Sequence, residues 1–218
     1  MIEKLLPPSV AVAESFGDPV HAPLLGAEPG SVAGAVVKRR REFATVRWCA
    51  RRALADLGIA PVPILTGEGG APAWPDGVVG SMTHCDGYRA AAVAHAGEAL
   101  GVGIDAEPHL PLPEGVFASI ALPTEQRRDA ELRRLVPGVH WDRLLFCAKE
   151  CVYKAWFPLT RRWLDFSQAD ITIEHDGTFS ARILEHDPAV PGDGFTGRWQ
   201  VGQGVCVAAV VVVRCTGP

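Results

Sequence analysis

Apolar positions recur at helical spacing over residues 31–57, where Val36, Phe43, Val46, Ala50, Ala53, Leu54 and Leu57 fall near one face. Gly58 followed by Pro61 supplies the stop. Residues 122–135 predict a charged helix and 140–156 a strongly amphipathic one, ended by Pro158. The buried stripe of the latter is Trp141, Leu144, Leu145, Ala148, Val152, Ala155 and Trp156. Short apolar runs at 78–83, 88–95 and 100–106 read as strands, the last closed by Pro108. Two hairpins follow, 171–175 with 179–184 about Asp176-Gly177, and 198–201 with 205–213 about Gly202-Gln203-Gly204. Residues 1–30, rich in Pro, Gly and Ala, read as an extended leading segment. Each half therefore reads as helices followed by antiparallel strands, an α+β arrangement with expected subdomains 1–108 and 109–218.

Composition narrows the class. At 218 residues, 48% apolar and 21% charged, the chain can bury a core and keep a soluble surface. A net charge of −4 carries no general nucleic-acid signature. Against that background Lys38-Arg39-Arg40-Arg41, with Arg47, Arg51 and Arg52, forms a local cationic cluster suited to a small polyanion. The six cysteines contain no C-x-x-C pair, so reduced structural thiols are expected. Cys147 and Cys151, four apart in a helix, read as small hydrophobes. The longest apolar run, 205–213, is too short to span a bilayer, and no signal peptide is visible at the N-terminus. A cytoplasmic protein, free of membrane and nucleic acid, is expected.

The chemistry concentrates in four places. Asp105 and Glu107 are two apart on a strand and so share a face. Paired carboxylates of this kind suit a hard divalent cation, although an isolated D-x-E also occurs at solvent-facing strand ends. Glu150 and Lys154 are four apart on the amphipathic helix, with Lys149 beside them, as in an ordinary surface ion pair. In combination with the first pair, Glu150 offers a third carboxylate or a general base, and the lysines offer charge for a diphosphate. On the first helix Arg39 and Arg47 are eight apart and Arg40 and Arg47 seven apart, about two turns; either pair could grip a phosphate monoester or belong to a solvated basic face. Ser81-Met82-Thr83-His84-Cys85 puts a histidine beside a hydroxyl at the end of a strand.

Taken together, Gly103-Ile104-Asp105-Ala106-Glu107 and Phe146-Cys147-Ala148-Lys149-Glu150-Cys151-Val152-Tyr153-Lys154-Ala155 resemble the 4′-phosphopantetheinyl transferases. The resemblance is to the longer, pseudo-dimeric kind that activates surfactin and siderophore synthetases. The second segment matches the family pattern (F/W)-x-x-K-E-x-x-x-K-A at every fixed position, and the likeness spans roughly residues 35–170. It implies two similar α+β subdomains related by a pseudo-two-fold axis, with the substrate between them. Asp105, Glu107 and Glu150 would hold Mg²⁺, with Mn²⁺ as an alternative, on the diphosphate of coenzyme A. Glu150 would also act as base toward the serine of an apo acyl or peptidyl carrier protein, and Lys154 would assist catalysis. Lys149 and Lys154 would contact the phosphates. Arg39, Arg47, Thr83 and His84 would bind the 3′-phosphate end of coenzyme A. One departure stands out: where the family often carries a lysine-bearing glycine loop, this chain has Thr66-Gly67-Glu68-Gly69-Gly70-Ala71-Pro72, and no site is assigned there. A magnesium-dependent nucleotide phosphohydrolase and a non-catalytic coenzyme A-binding module are the competing readings. A monomer is expected from the two fused halves.

Overall fold

The computed structural model describes residues 1–213; Cys215 lies outside them. Its strands are β1 (Ala11–Phe16), β2 (Val78–Cys85), β3 (Tyr88–His95), β4 (Gly101–Pro108), β5 (Ala169–Ile173), β6 (Thr178–Ile183), β7 (Gly194–Gly202) and β8 (Val205–Val212). The α-helices are α1 (Val37–Asp56), α2 (Val116–Ile120), α3 (Pro123–Leu135) and α4 (Trp141–Thr160). The class is α+β, as expected. All named strand pairs are antiparallel, in one sheet ordered β1-β3-β2 and another ordered β4-β8-β7-β6-β5.

Helix α1 lays Cys49, Ala50, Ala53 and Leu54 on the smaller sheet and ends on Gly58, whose φ of +77° is the left-handed stop a glycine accepts without cost. It begins later than the periodicity predicts. Residues 28–32 form a separate 3₁₀ turn, held by Glu28, which is fully buried, pairs with Arg51 and accepts the Leu25 and Ile64 amides. Tertiary contacts therefore take over where helical spacing had been read. The leading segment also contains a strand not foreseen, β1, whose Ala11 and Ala13 pair with Val93 and Ala91 of β3. Short side chains hide the two-residue alternation that normally betrays a strand.

Helix α4 covers the larger sheet with Trp141, Leu144, Ala148, Val152 and Trp156. It does not stop at Pro158, which lies inside its last turn. Proline removes one backbone hydrogen bond there, but Ala155, Trp156 and Phe157 are buried on either side of that turn's start and hold the helix down. The helix ends instead at Arg161, in the left-handed conformation with its N–H on the Phe157 carbonyl.

Two features bring the halves together. Strand β4, read from sequence as the last element of the first half, hydrogen-bonds to β8 while its other side faces β2. Across that seam the Ser81 hydroxyl accepts the Ile104 N–H at 3.1 Å, and the Thr83 hydroxyl accepts the Ala106 N–H at 3.1 Å. Secondly, α4 crosses β4 almost in backbone contact: a Cβ on Gly103 would lie 2.2 Å from the Cys151 carbonyl oxygen and 2.9 Å from the Ala155 nitrogen. Both obstacles are backbone and cannot swing aside.

Gly103→Ala should therefore destabilise the fold by about 2–4 kcal/mol, as overpacking against rigid neighbours does. Gly101→Ala, whose Cβ would meet its nearest atom at an ordinary 3.5 Å, should cost less than about 1 kcal/mol. Urea unfolding of the two variants checks the contrast.

Candidate active site

A cleft of about 340 Å³ opens between α1, β2, α4 and the 66–72 loop. From α1 it takes Arg39, Glu42, Phe43 and Arg47, from β2 Ser81, Met82 and His84, and from α4 Glu150, Tyr153, Lys154 and Phe157. The loop seats Gly69 directly over the Phe157 ring, where a Cβ would lie 2.3 Å from the ring carbon. Its φ of +60° also favours glycine. The glycines of this loop thus close one wall of the cleft.

The cationic end is more ordered than a solvated basic face would be. Arg47 is only 4% exposed: Nε donates to the Ile64 carbonyl at 2.8 Å, Nη2 to the Thr66 hydroxyl at 3.2 Å, and the guanidinium lies over the Phe43 ring. Burial pushes its pKa down to about 10, leaving it charged at neutral pH. It holds the loop wall as well as facing the cleft. Arg39, half exposed, donates to His84 Nε2 and lies 4.0 Å from the Glu42 carboxylate. Burial first, and then the charge of Arg39, pushes the His84 pKa down to about 4, so the imidazole is neutral and acts as an acceptor there. Glu42, 9% exposed, also approaches His84 and Arg89 at 3.7 Å and ties this cluster together.

The acidic end is built on β4 and α4. Asp105 is 4% exposed. Its Oδ1 accepts from the Thr83 hydroxyl at 2.9 Å and from Lys154 Nζ at 2.7 Å, while Oδ2 is buried without a partner. Glu150 lines the cleft beside Lys154 and accepts no hydrogen bond from the described residues. Burial and the nearby Asp105 charge raise its pKa, with Lys154 opposing. Burial and Asp105 likewise raise the pKa of Glu107, against the pull of Arg143. On Lys154 burial works downward, but Asp105 and Glu150 outweigh it and hold the ammonium above its usual value. One buried carboxylate oxygen, Asp105 Oδ2, lacks any donor, and an oxygen of that kind suits a hard divalent cation.

The residues singled out in the sequence divide. Arg39, Arg47, His84, Glu150 and Lys154 line one cleft, with Asp105 bonded to Lys154 behind them. Glu107 instead pairs with Arg143, and among the described residues no three His, Cys, Asp or Glu side chains gather closely enough to enclose a metal. Thr83 is 2% exposed and serves the seam and Asp105 rather than the cleft. Lys149 does not line this cleft. Its ammonium lies 2.9 Å from Glu125 and donates to the Phe166 and Ala169 carbonyls, at 2.7 and 2.8 Å, so all three hydrogens are spent inside the protein. One helical step from Glu150 is about 100° of rotation, which turns Lys149 away from the cleft. Arg143 and Glu42 were not singled out. Arg143 stands seven residues before Glu150, about two turns, and that spacing was the available signal.

A second cavity of about 330 Å³ shares Glu150 and Tyr153 with the cleft and is lined also by Phe146, Lys149, Trp163, Leu164 and Phe166.

Comparison with known proteins matches two family models: the 4′-phosphopantetheinyl transferase N-terminal domain over residues 27–94, and the 4′-phosphopantetheinyl transferase superfamily over residues 101–208. The chain is 53% identical to 4′-phosphopantetheinyl transferase Svp of Streptomyces mobaraensis over its full length and 91% of that protein. It is 48% identical to 4′-phosphopantetheinyl transferase PptT of Mycobacterium tuberculosis, covering 97% of this chain and 98% of the relative. Enterobactin synthase component D of Salmonella typhimurium is 31% identical over 54% of the chain and 48% of its own length.

The buried histidine has a consequence for pH. A folded pKa of about 4, below the ordinary 6.5, means the unfolded chain binds the additional proton between those values. His84 therefore favours unfolding as pH falls through that window and is silent above it. Imidazole resonances followed by NMR should show His84 untitrated down to about pH 5, and His84→Gln should flatten the loss of stability between about pH 6.5 and 4.

Proposed function

The chain belongs to the 4′-phosphopantetheinyl transferase superfamily, and on that premise we propose how its residues move the phosphopantetheine arm of coenzyme A onto a carrier protein. The enzyme transfers this group from coenzyme A to a serine of an apo carrier domain, leaving adenosine 3′,5′-bisphosphate. The observation that supports the site assignment is that Glu150 and Lys154 line the same cleft as Arg39, Arg47 and His84, with Lys154 bonded to the Asp105 carboxylate behind it.

In this reading Arg39, Arg47 and neutral His84 receive the 3′-phosphate of the nucleotide. Arg47 has Nη1 to spare, since Nε and Nη2 are engaged on the loop. The diphosphate lies against Lys154, and the arm extends past Glu150 toward Phe146, Trp163 and Phe166. Asp105, Glu107 and Glu150 would hold Mg²⁺ or Mn²⁺, for which the unpartnered Asp105 oxygen is the supporting observation. When bound, such a cation neutralises charge building on the leaving diphosphate oxygens.

Glu150 takes the proton from the carrier serine. Its raised pKa brings it closer to a working base, and it has no competing donor among the described residues. The serine oxygen bonds to the β-phosphorus as the bond from that phosphorus to the bridging oxygen breaks. Lys154, held charged by Asp105, faces the negative charge that moves to the α-phosphate. Most of the acceleration comes from placement and charge rather than covalent participation. Phosphohydrolase chemistry would need only water in place of the serine, but nothing in the relatives' names favours it. Among the described residues no helix is long and apolar enough to cross a membrane; a cytoplasmic monomer without nucleic-acid partners completes the proposal.

Glu150→Gln should fold with an unchanged melting temperature yet transfer about 10²–10⁴ times more slowly, the usual worth of a general base. Intact-mass analysis of an apo-carrier domain incubated with coenzyme A reads the phosphopantetheine gain directly. Adenosine bisphosphate released without a modified carrier would mark hydrolysis instead.

A further inference from the structure

Arg143 is the most thoroughly anchored side chain beside the site that the mechanism above does not use. It is 15% exposed and has three fixed partners. Nε donates to the Leu110 carbonyl at 3.1 Å, Nη2 to the Pro111 carbonyl at 3.0 Å and Nη1 to Glu107 Oε2 at 2.9 Å. The two carbonyls belong to the chain leaving β4, so they would hold the guanidinium in place even without Glu107. Arg143 therefore reads as a preset clamp that reaches Glu107, not as a surface cation that happened to find an acid.

Its location explains why Asp105, Glu107 and Glu150 do not close into a cation site as they stand. Arg143 precedes Glu150 by two turns of α4, so both project toward β4. Asp105 Oδ2 is left bare and Glu150 is unengaged, whereas Glu107 alone of the three is bonded to an arginine. A carboxylate oxygen bonded to a guanidinium is neutralised and turned toward it, which weakens its attraction for a second cation.

We propose that Arg143 is a positioning residue that holds Glu107 in reserve, so that the divalent cation is bound firmly only when the diphosphate of coenzyme A arrives with it. Without the diphosphate, Asp105 and Glu150 supply two carboxylates, one already shared with Lys154. With it, phosphate oxygens fix the cation beside Asp105 and Glu150, and the fixed divalent charge then competes with Arg143 for Glu107. Cation and nucleotide then bind as a pair, and the empty enzyme does not collect metal. The inference rests on the three carboxylates forming the cation site.

The test is Mn²⁺ binding, followed by electron paramagnetic resonance of the free ion and by calorimetry, with and without coenzyme A. Arg143→Gln removes the charge but keeps a donor for a carbonyl. It should bind Mn²⁺ about tenfold more tightly than wild type in the absence of coenzyme A, with the difference shrinking when coenzyme A is present. Arg143→Lys, which keeps the charge, should stay within about twofold of wild type. Should Arg143→Gln fail to fold, Glu107→Gln decides. It should leave Mn²⁺ affinity unchanged without coenzyme A and weaken it by about tenfold with coenzyme A. Equal or weaker Mn²⁺ binding by folded Arg143→Gln, or an equal loss for Glu107→Gln in both conditions, would overturn the inference while leaving the cation site standing. If wild type with coenzyme A binds no Mn²⁺ saturably, the cation site itself is refuted, and the inference with it.

Discussion

The backbone of α4 runs against the backbone of β4 at Gly103, and the pairing of Lys154 with Asp105 and of Arg143 with Glu107 depends on that contact. No side chain separates the two elements there, which lets groups from each reach the other within hydrogen-bond distance. Cys151 Sγ meets the Gly103 carbonyl at 3.1 Å, Lys154 meets Asp105, and Arg143 meets Glu107. A wider crossing would leave Asp105 buried with neither Lys154 nor a route to the cleft, an expensive state for a charge. The hydroxyls of Ser81 and Thr83 complete the arrangement from the other side, fastening β2 to β4 so that the cleft wall and the acidic strand move as one piece.

Charge is distributed with the same economy. The α1 end of the cleft is cationic but threaded with Glu42, and His84 is kept neutral among arginines. The β4 end is anionic but holds Lys154 and Arg143. On the proposed reading, the phosphate monoester of coenzyme A would meet Arg39 and Arg47, and the diphosphate would meet Lys154 and a cation held by the carboxylates. Along α4 the division is by face: Glu150 and Lys154 turn to the cleft, whereas Lys149 turns inward to Glu125 and ties the helix to α3 and the segment before β5. A single run of ten residues thus carries both chemistry and architecture.

How much of this could be read beforehand varied with the physical signal. The stripe of α4 and the apolar runs of β2, β3 and β4 were legible because burial imposes a period. Strand β1 was not, because its run Ala-Val-Ala-Glu-Ser-Phe has no clear two-residue alternation, and Pro158 misled because burial overrode one missing hydrogen bond. Within the site, residue type and spacing pointed to Asp105, Glu150 and Lys154. They could not tell Lys149 from Lys154, since both are lysines in one motif and only helical rotation separates their surroundings. Thr83 was noticed for its neighbour His84, yet it works one strand over, on Asp105. Arg143 looked like any exposed helical arginine until its partners, two backbone carbonyls from a distant turn, came into view.

The central claim is that separate elements converge their carboxylates on one cation held by a diphosphate. Crystals of the enzyme grown with coenzyme A and Mn²⁺, with anomalous scattering collected at the manganese edge, address it most directly. One peak is expected, contacting Asp105 Oδ2, a Glu150 oxygen and oxygens of the diphosphate. A diphosphate bound elsewhere, or a manganese with Glu150 turned away from it, would contradict the claim.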